Sequence, residues 1–359
     1  MLKIYEILNK NQYDELDSFV EGNQNGSFMQ CSLWGRVKKN WGFEAVVVRD
    51  ESLNIIASAA VLIQKIPLIN TCFLYAPRGP VCDFDDAEAL WELKKGIDEL
   101  AKKYNCHSFK MDPDALMENT KLIGVLKELG FSQSFGPDGF EGIQARFNYR
   151  LYLKNRSEEE LMANLTQSCR RKLRIAMKSG VTIEVCGRDM LPRFHEIMEV
   201  TGKRDNFNIR PLSYFEGFLD ALGEHARLYM GFYQGEPVCG AITTNYSGKV
   251  SYVYGASDNR NREVMPNYLM QWEMIKWAVE TNCAIYDFQG VSGNLSPENN
   301  PMFGLYQFKN GFNGKLDELC GEFDYTYKPL SAKLTQGAIS LNSHLKKIKK
   351  ALHKKEKKQ

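Results

Sequence analysis

Nine cysteines are scattered along the 359 residues, and no two of them form a C-x-x-C pair. Their odd number and irregular spacing argue against a disulfide framework and against a zinc cluster. A reducing, cytoplasmic setting is expected. The opening MLKIYEILNKNQYDELDSF lacks a basic region followed by an apolar run, so no signal peptide is read there. Apolar runs are short. The longest, Ile55 to Ile63, cannot span a bilayer and reads as a buried strand. The histidines (His107, His195, His225, His344 and His353) show no metal-ligand spacing, and packing or surface positions account for them. No G-x-S-x-G elbow occurs, no G-x-x-x-x-G-K-S/T loop, and no G-x-G-x-x-G after a strand. Covalent serine chemistry, nucleotide hydrolysis and hydride transfer therefore lack their usual residues. Neither a cofactor nor a metal is expected.

What is present is an ordinary globular composition, with 43% hydrophobic and 25% charged residues, enough to build cores without staples. At about 100–200 residues per domain, the length points to two domains. Net charge is +2 but unevenly placed. From Ser343 to Gln359 eight lysines stand against one glutamate, so the rest of the chain is acidic on balance. There Leu341, Leu345, Ile348 and Leu352 recur at i, i+4, i+7 and i+11. That pattern predicts a basic amphipathic helix suited to an anionic membrane surface or to tRNA; a solvated, frayed terminus is the plainer reading.

The order of elements is written twice. A short helix near Gln30–Asn40 precedes the strands EAVVVRD, IIASAAVLI and TCFLYAP. An amphipathic helix from Asp86 to Tyr104 follows, with Leu90, Leu93, Ile97 and Leu100 on one face. HSFKMDP and a helix ending at Gly130-Phe131 complete the half. The second half repeats this with RLYMGFY, VCGAITTNY and VSYVYGAS, a helix from about Val264 to Glu280 with Pro266 in its first turn, and CAIYDFQG. Between the halves Ser157 and Glu160 form a capping box. It opens a helix that carries Arg170, Arg171, Lys172, Arg174 and Lys178 and stops at Gly180. Hairpins followed by strand–helix–strand units predict an α/β fold with mixed sheets.

The residues that could do chemistry are lysines, arginines, tyrosines and an aspartate at element ends. Trp34, Val37 and Trp41 share a core-facing spacing in WGRVKKNWG, with Lys38 at the edge of that face; a packed stem with a solvated head would also explain it. Asp112 ends the strand of KMDPD, where Asp before Pro also starts turns. Arg210 precedes Pro211 at a helix start, a place suited to a phosphate. Tyr252 and Tyr254 alternate onto one face of SYVYGAS, which sheet packing alone could require. Phe308 and Lys309 precede a glycine in YQFKNGFNG, where the lysine is either a snorkelling surface residue or a cation in a cleft.

Together FMQCSLWGRVKKNWG, YAPRGPVCD, FKMDPD, IRPLSYF, YVYGAS, YDFQG and LYQFKNGFNGKLDELCGEFD resemble, in that order, the Fem family of peptidoglycan bridge-forming aminoacyltransferases. The resemblance runs from about Phe28 to Asp324. It implies two acetyltransferase-like (GNAT-like) domains, the first completed by the C-terminal segment. Residues 1–150 plus 320–359 would form the precursor-binding domain, and 151–319 the domain on the acyl-transfer and tRNA side. The helical coiled-coil insertion of some members is absent. The implied donor is aminoacyl-tRNA. The implied acceptor is a stem-peptide amine of a peptidoglycan precursor, either lipid II or UDP-MurNAc-pentapeptide. By the same resemblance Lys309 is the cation near the developing oxyanion, and Phe308 and Tyr254 shape its cleft. Lys38, Arg210 and Tyr214 hold the precursor's diphosphate, with Tyr252 also on the substrate side. Asp112 matches a carboxylate near the acceptor, although proton transfer assisted by the substrate would serve equally well. Two rival readings stand beside this one: an acyl-coenzyme A N-acyltransferase, whose pyrophosphate loop is missing from GASDNRNREVMPNYL, and a non-catalytic relative that binds tRNA or membrane.

Overall fold

In the computed structural model, residues 3–66, 69–136, 138–335 and 337 are described. The lysine-rich tail and its expected amphipathic helix lie outside them. In chain order the strands are β1 (Ile4–Ile7), β2 (Gly42–Arg49), β3 (Ile55–Ile66), β4 (Thr71–Ala76), β5 (Val81–Cys82), β6 (Cys106–Met111), β7 (Ser132–Ser134), β8 (Phe147–Tyr152), β9 (Thr182–Cys186), β10 (Ala226–Tyr233), β11 (Glu236–Tyr246), β12 (Lys249–Ser257), β13 (Ile285–Val291), β14 (Lys315–Glu318) and β15 (Glu322–Thr326). The helices are α1 (Tyr13–Gly22), α2 (Ser32–Val37), α3 (Ala87–Lys103), α4 (Thr120–Glu128), α5 (Glu158–Asn164), α6 (Gln167–Lys178), α7 (Leu191–Asp205), α8 (Leu212–Leu222), α9 (Pro266–Glu280) and α10 (Phe303–Asn310).

Two mixed sheets result. The first runs β1-β2-β3-β4-β6-β15-β7, with β5 paired to β3; the second runs β14-β8-β13-β12-β11-β10-β9. Each contains an antiparallel meander followed by one parallel pair, β4 with β6 across α3 and β12 with β13 across α9. Each also takes a strand from beyond its own stretch of chain. β15, from after the second half, lies between β6 and β7. β8, from before it, lies between β13 and β14.

The local causes are visible in the side chains. Asp86 caps α3 by accepting from the Ala89 N–H at 3.1 Å and pairs with Lys3 at 2.5 Å. Gly96 lets α3 sit close on the sheet, since a β-carbon there would lie 2.4 Å from Val46. Within EAVVVRD the stretch from Ala45 to Val48 is apolar without alternation because β2 is covered on both faces there. Val46 and Val48 enter a core under α3, whereas Ala45 and Val47 enter one shared with the other half. In that shared core Phe28 and Trp34 meet Phe194, Phe215, Phe218 and Tyr254. The two halves are therefore joined by packing as well as by the chain.

The single helix expected from Ser157 to Gly180 is two. Leu165 and Thr166 are extended, and the Thr166 hydroxyl starts a new helix by accepting from the Cys169 N–H at 3.2 Å. Its backbone N–H donates instead to the Gly311 carbonyl at 3.0 Å, so a tertiary partner overrides the local continuation.

A buried ionic network also joins the halves. Arg150 on β8 reaches Asp114 at 2.5 Å, Asp287 on β13 at 2.9 Å and Asp317 on β14 at 3.8 Å, and Lys249 on β12 meets Asp114 at 2.6 Å. The two cations hold the Asp114 carboxyl far below the usual range in spite of its burial. Arg150→Met leaves these carboxylates without their fork. It is expected to cost about 3–5 kcal/mol, read from the denaturant midpoint; a loss under about 1 kcal/mol would remove the network from the fold's support.

Candidate functional site

A cleft of about 1230 Å³ opens between the halves, with walls from α2, β3, β4, β6, β12 and the start of α8. Lys38, Arg210, Tyr214 and Tyr254 all line it. Four of the eight expected site residues thus come together although they are more than 200 residues apart in the extreme case.

Lys38 is the C-cap residue of α2, with its backbone N–H donating to the Trp34 carbonyl. Its ammonium lies 4.5 Å from the ring centre of Trp34, one helical turn back, and 5.6 Å from that of Tyr214. The guanidinium of Arg210 approaches the same Tyr214 ring at 5.2 Å. Neither cation has a carboxylate partner among the described residues. Burial pushes Lys38 down to about 8, and the charge of Arg210 adds to that shift. Two cations without a carboxylate partner on a shared aromatic ring are the chemistry that suits an anion. The Tyr214 and Tyr254 hydroxyls meet at 3.0 Å, and burial raises both phenols. Trp34 Nε1, on the same wall, is buried with no acceptor among the described residues.

Tyr252 does not join them. The register of β11 against β12 shifts between Ile242 and Thr243, which face Tyr254 and Tyr252, so Val253 is an extra residue. Side-chain alternation breaks there. Tyr254 faces the shared core, and Tyr252 packs into the separate core beneath α9. The expectation that both tyrosines share a face is thus corrected by a bulge that a strict alternation could not reveal.

Asp112 is fully enclosed at 3% exposure and accepts from the Tyr75 hydroxyl and from the Arg78 N–H, each at 2.6 Å. Burial lifts its carboxyl to about 6 against the pull of Arg78. It lines a smaller side cavity of about 280 Å³ rather than the main cleft. Tyr75 and Gln144 stand between the two spaces, since Tyr75 lines the cleft and Gln144 lines both.

Lys309 lies behind the cleft wall, on α10, with 3% exposure. Its ammonium donates to the carbonyls of Gln289 at 3.1 Å and Gly290 at 2.8 Å. Burial lowers it to about 7, opposed by the nearby Asp287 charge. Those carbonyls are available because β13 bulges there. Gln289 adopts φ of 63°, and its N–H donates to Asp287 at 2.6 Å, the carboxylate that Arg150 holds from the other side. Gln289 itself lines the cleft. β12 and β13 pair only over Lys249–Ser251 and Ile285–Asp287 before they part, so this bulge stands at the splay between them. Phe308 turns away into an aromatic cluster, 4.9 Å from Tyr268 and 5.8 Å from Phe312 between ring centres.

Sequence reasoning passed over Arg150, Asp114 and Asp287, which fix the Gln289 bulge, and Tyr75, which shields Asp112. Asp114 stands in the quoted KMDPD and Asp287 in YDFQG, but nothing in either motif marks a partner on another strand.

The sequence matches the FemAB family over residues 12–234 and 233–339. It is 28% identical to the lipid II:glycine glycyltransferase of Staphylococcus aureus strain MRSA252, covering 93% of this chain and 98% of that protein, and equally to that of strain NCTC 8325. The 415 aligned positions exceed this chain's length, so those proteins carry inserted residues that it lacks. The crystal structure of FemX superposes with a TM-score of 0.85 at 27% identity, over 92% of this chain and 99% of that one. A tandem GNAT protein of the clavulanic acid pathway shares the fold, with a TM-score of 0.53 at 11% identity over 91% and 99% of the two chains. The two mixed sheets, with a cleft between halves of like topology, are those of GNAT-like proteins, and the chain belongs to the FemAB family.

Proposed function

We propose that this protein is an aminoacyltransferase that moves an amino acid from aminoacyl-tRNA to the stem-peptide amine of a peptidoglycan precursor. The observation that carries this reading is the pair of unpaired cations, Lys38 from one half and Arg210 from the other, across Tyr214 in a cleft large enough for a sugar and peptide. A diphosphate fits two such charges, and both lipid II and UDP-MurNAc-pentapeptide carry one. The relatives that act on lipid II support the first as acceptor. The lysine-rich tail supports it too, since each basic residue near an anionic bilayer adds roughly 1 kcal/mol. In this reading residues 1–150 plus 320–359 bind most of the precursor and supply Lys38, while 151–319 carry acyl transfer and lend Arg210 and Tyr214 to the diphosphate.

In the transfer, the acceptor nitrogen attacks the ester carbonyl carbon, a C–N bond forms, and the C–O bond to the tRNA ribose breaks. The ribose hydroxyl leaves with the proton that the amine gives up. The ester is already activated, so no covalent enzyme intermediate is required. An amine of ordinary pKa about 10.4 must lose its proton before it attacks, and the oxyanion needs a donor already in place. In its charged form, held below about pH 7, Lys309 has three N–H donors and spends two on Gln289 and Gly290. We assign the third to the oxyanion. Asp112 is a poor candidate for the base, because both its oxygens are occupied and it sits in the side cavity.

The reading is tested by transfer of radiolabelled amino acid from a pool of charged tRNAs to UDP-MurNAc-pentapeptide and, separately, to lipid II in detergent. Label in either product is expected; label in neither, with intact substrates and folded protein, would overturn it. Lys309→Met should lower kcat about 10²–10³-fold with little change in acceptor KM, and unchanged turnover would remove Lys309 from the reaction. Arg210→Ala should weaken precursor binding by about 1.5–3 kcal/mol, roughly 10–150-fold in Kd. The ammonium of Lys38 is present below about pH 8 in the free protein and is lost as the pH rises through that value. Precursor Kd should therefore rise between about pH 7 and 9, and Lys38→Arg, which stays charged, should flatten the rise. A slope that survives in that variant would assign it to another group.

A further inference from the structure

The helix α6 carries Arg170, Arg171, Lys172, Arg174 and Lys178 and no carboxylate. None of these five has an ion-pair partner among the described residues. Two are tied down locally. Arg170 donates to the Leu165 carbonyl at 2.7 Å, and Lys172 donates to the Tyr268 hydroxyl at 2.8 Å. The other three, Arg171, Arg174 and Lys178, are exposed. At i, i+3 and i+7 they share one face and span roughly 10 Å of helix. Like charges at these spacings repel, and of the three only Lys178, in the last turn, complements the helix dipole. The sequence thus keeps a charge arrangement that works against its own helix.

The place of α6 gives that arrangement a use. Its start is bonded to Gly311, two residues past Lys309, through both the backbone N–H and the hydroxyl of Thr166. Lys172 reaches Tyr268, which packs on Phe308. The basic face is therefore attached to the element that carries the acyl-transfer lysine. It is poorly suited to lie on a bilayer, because its apolar residues Cys169, Leu173 and Ala176 are buried in the protein's own core.

We infer that the exposed face of α6 binds the backbone phosphates of the donor RNA's acceptor stem, and so sets the ester at its end within reach of Lys309. This rests on the aminoacyl-tRNA reading above.

The test is the variant Arg171→Ala/Arg174→Ala/Lys178→Ala, which spares Arg170 and Lys172, compared with the unaltered protein in the transfer assay. KM for charged tRNA should rise at least about 10-fold while KM for the precursor holds. The salt dependence of tRNA binding should lose about one unit of log–log slope for each phosphate contact removed. A short donor, an aminoacylated dinucleotide that ends before the acceptor stem, should be used equally well by both proteins, which also reports that the variant is folded. An unchanged KM and slope for tRNA would overturn the inference while leaving the parent reading intact. If the unaltered protein takes no amino acid from tRNA at all, the parent reading fails first. Loss of binding to phosphatidylglycerol vesicles with an unchanged KM for tRNA would reassign the face to a lipid surface and overturn the inference.

Discussion

Arg150 is the residue on which the rest depends. It sits on β8, the strand that the chain lays down before the second half begins and that the second sheet places beside β13. Its guanidinium is 7% exposed and bonded to carboxylates from three segments. An ion pair so buried contributes little net stability against an apolar substitute but a great deal against the loss of one partner. Its effect is therefore mainly on geometry. It fixes Asp287, Asp287 fixes the Gln289 turn, and the two carbonyls of that turn hold Lys309. A group pushed down to about 7 by burial owes its position, and with it its chemistry, to a network on the far side of the strand.

The second constraint is that neither half makes the site alone. Exchange of β8 and β15 between chain segments and the shared core of Phe28, Trp34, Phe215 and Phe218 hold the halves face to face. Only then do Lys38 and Arg210 converge on one tyrosine. Lys38 is lowered first by its burial and then by the charge of Arg210. Placing two cations together without a counter-charge raises the free energy of the empty cleft. An anion entering between them relieves it. The convergence of the two cations thus depends on the packing of the two halves.

Much of this was legible in the sequence. Apolar alternation and the repeated hairpin–helix–strand order set out the duplicated α/β fold, and the spacing of Trp34, Val37 and Trp41 put Lys38 at the edge of a core-facing surface. What was not legible has a common cause. The break at Leu165–Thr166 depends on Gly311, far along the chain. The separation of Tyr252 from Tyr254 depends on a bulge set by packing on both sides of β12. The retreat of Asp112 behind Tyr75 and the turning of Phe308 toward Tyr268 are also tertiary outcomes. Local pattern names the residues that can do chemistry; partners distant in sequence decide which of them reach the cleft.

In the proposed function one diphosphate is held jointly by both halves. A crystal structure with UDP-MurNAc-pentapeptide tests it most directly. Phosphate oxygens between Lys38 and Arg210, within hydrogen-bond distance of both, are the expected result. A diphosphate bound elsewhere, with these two cations left in solvent, would contradict it.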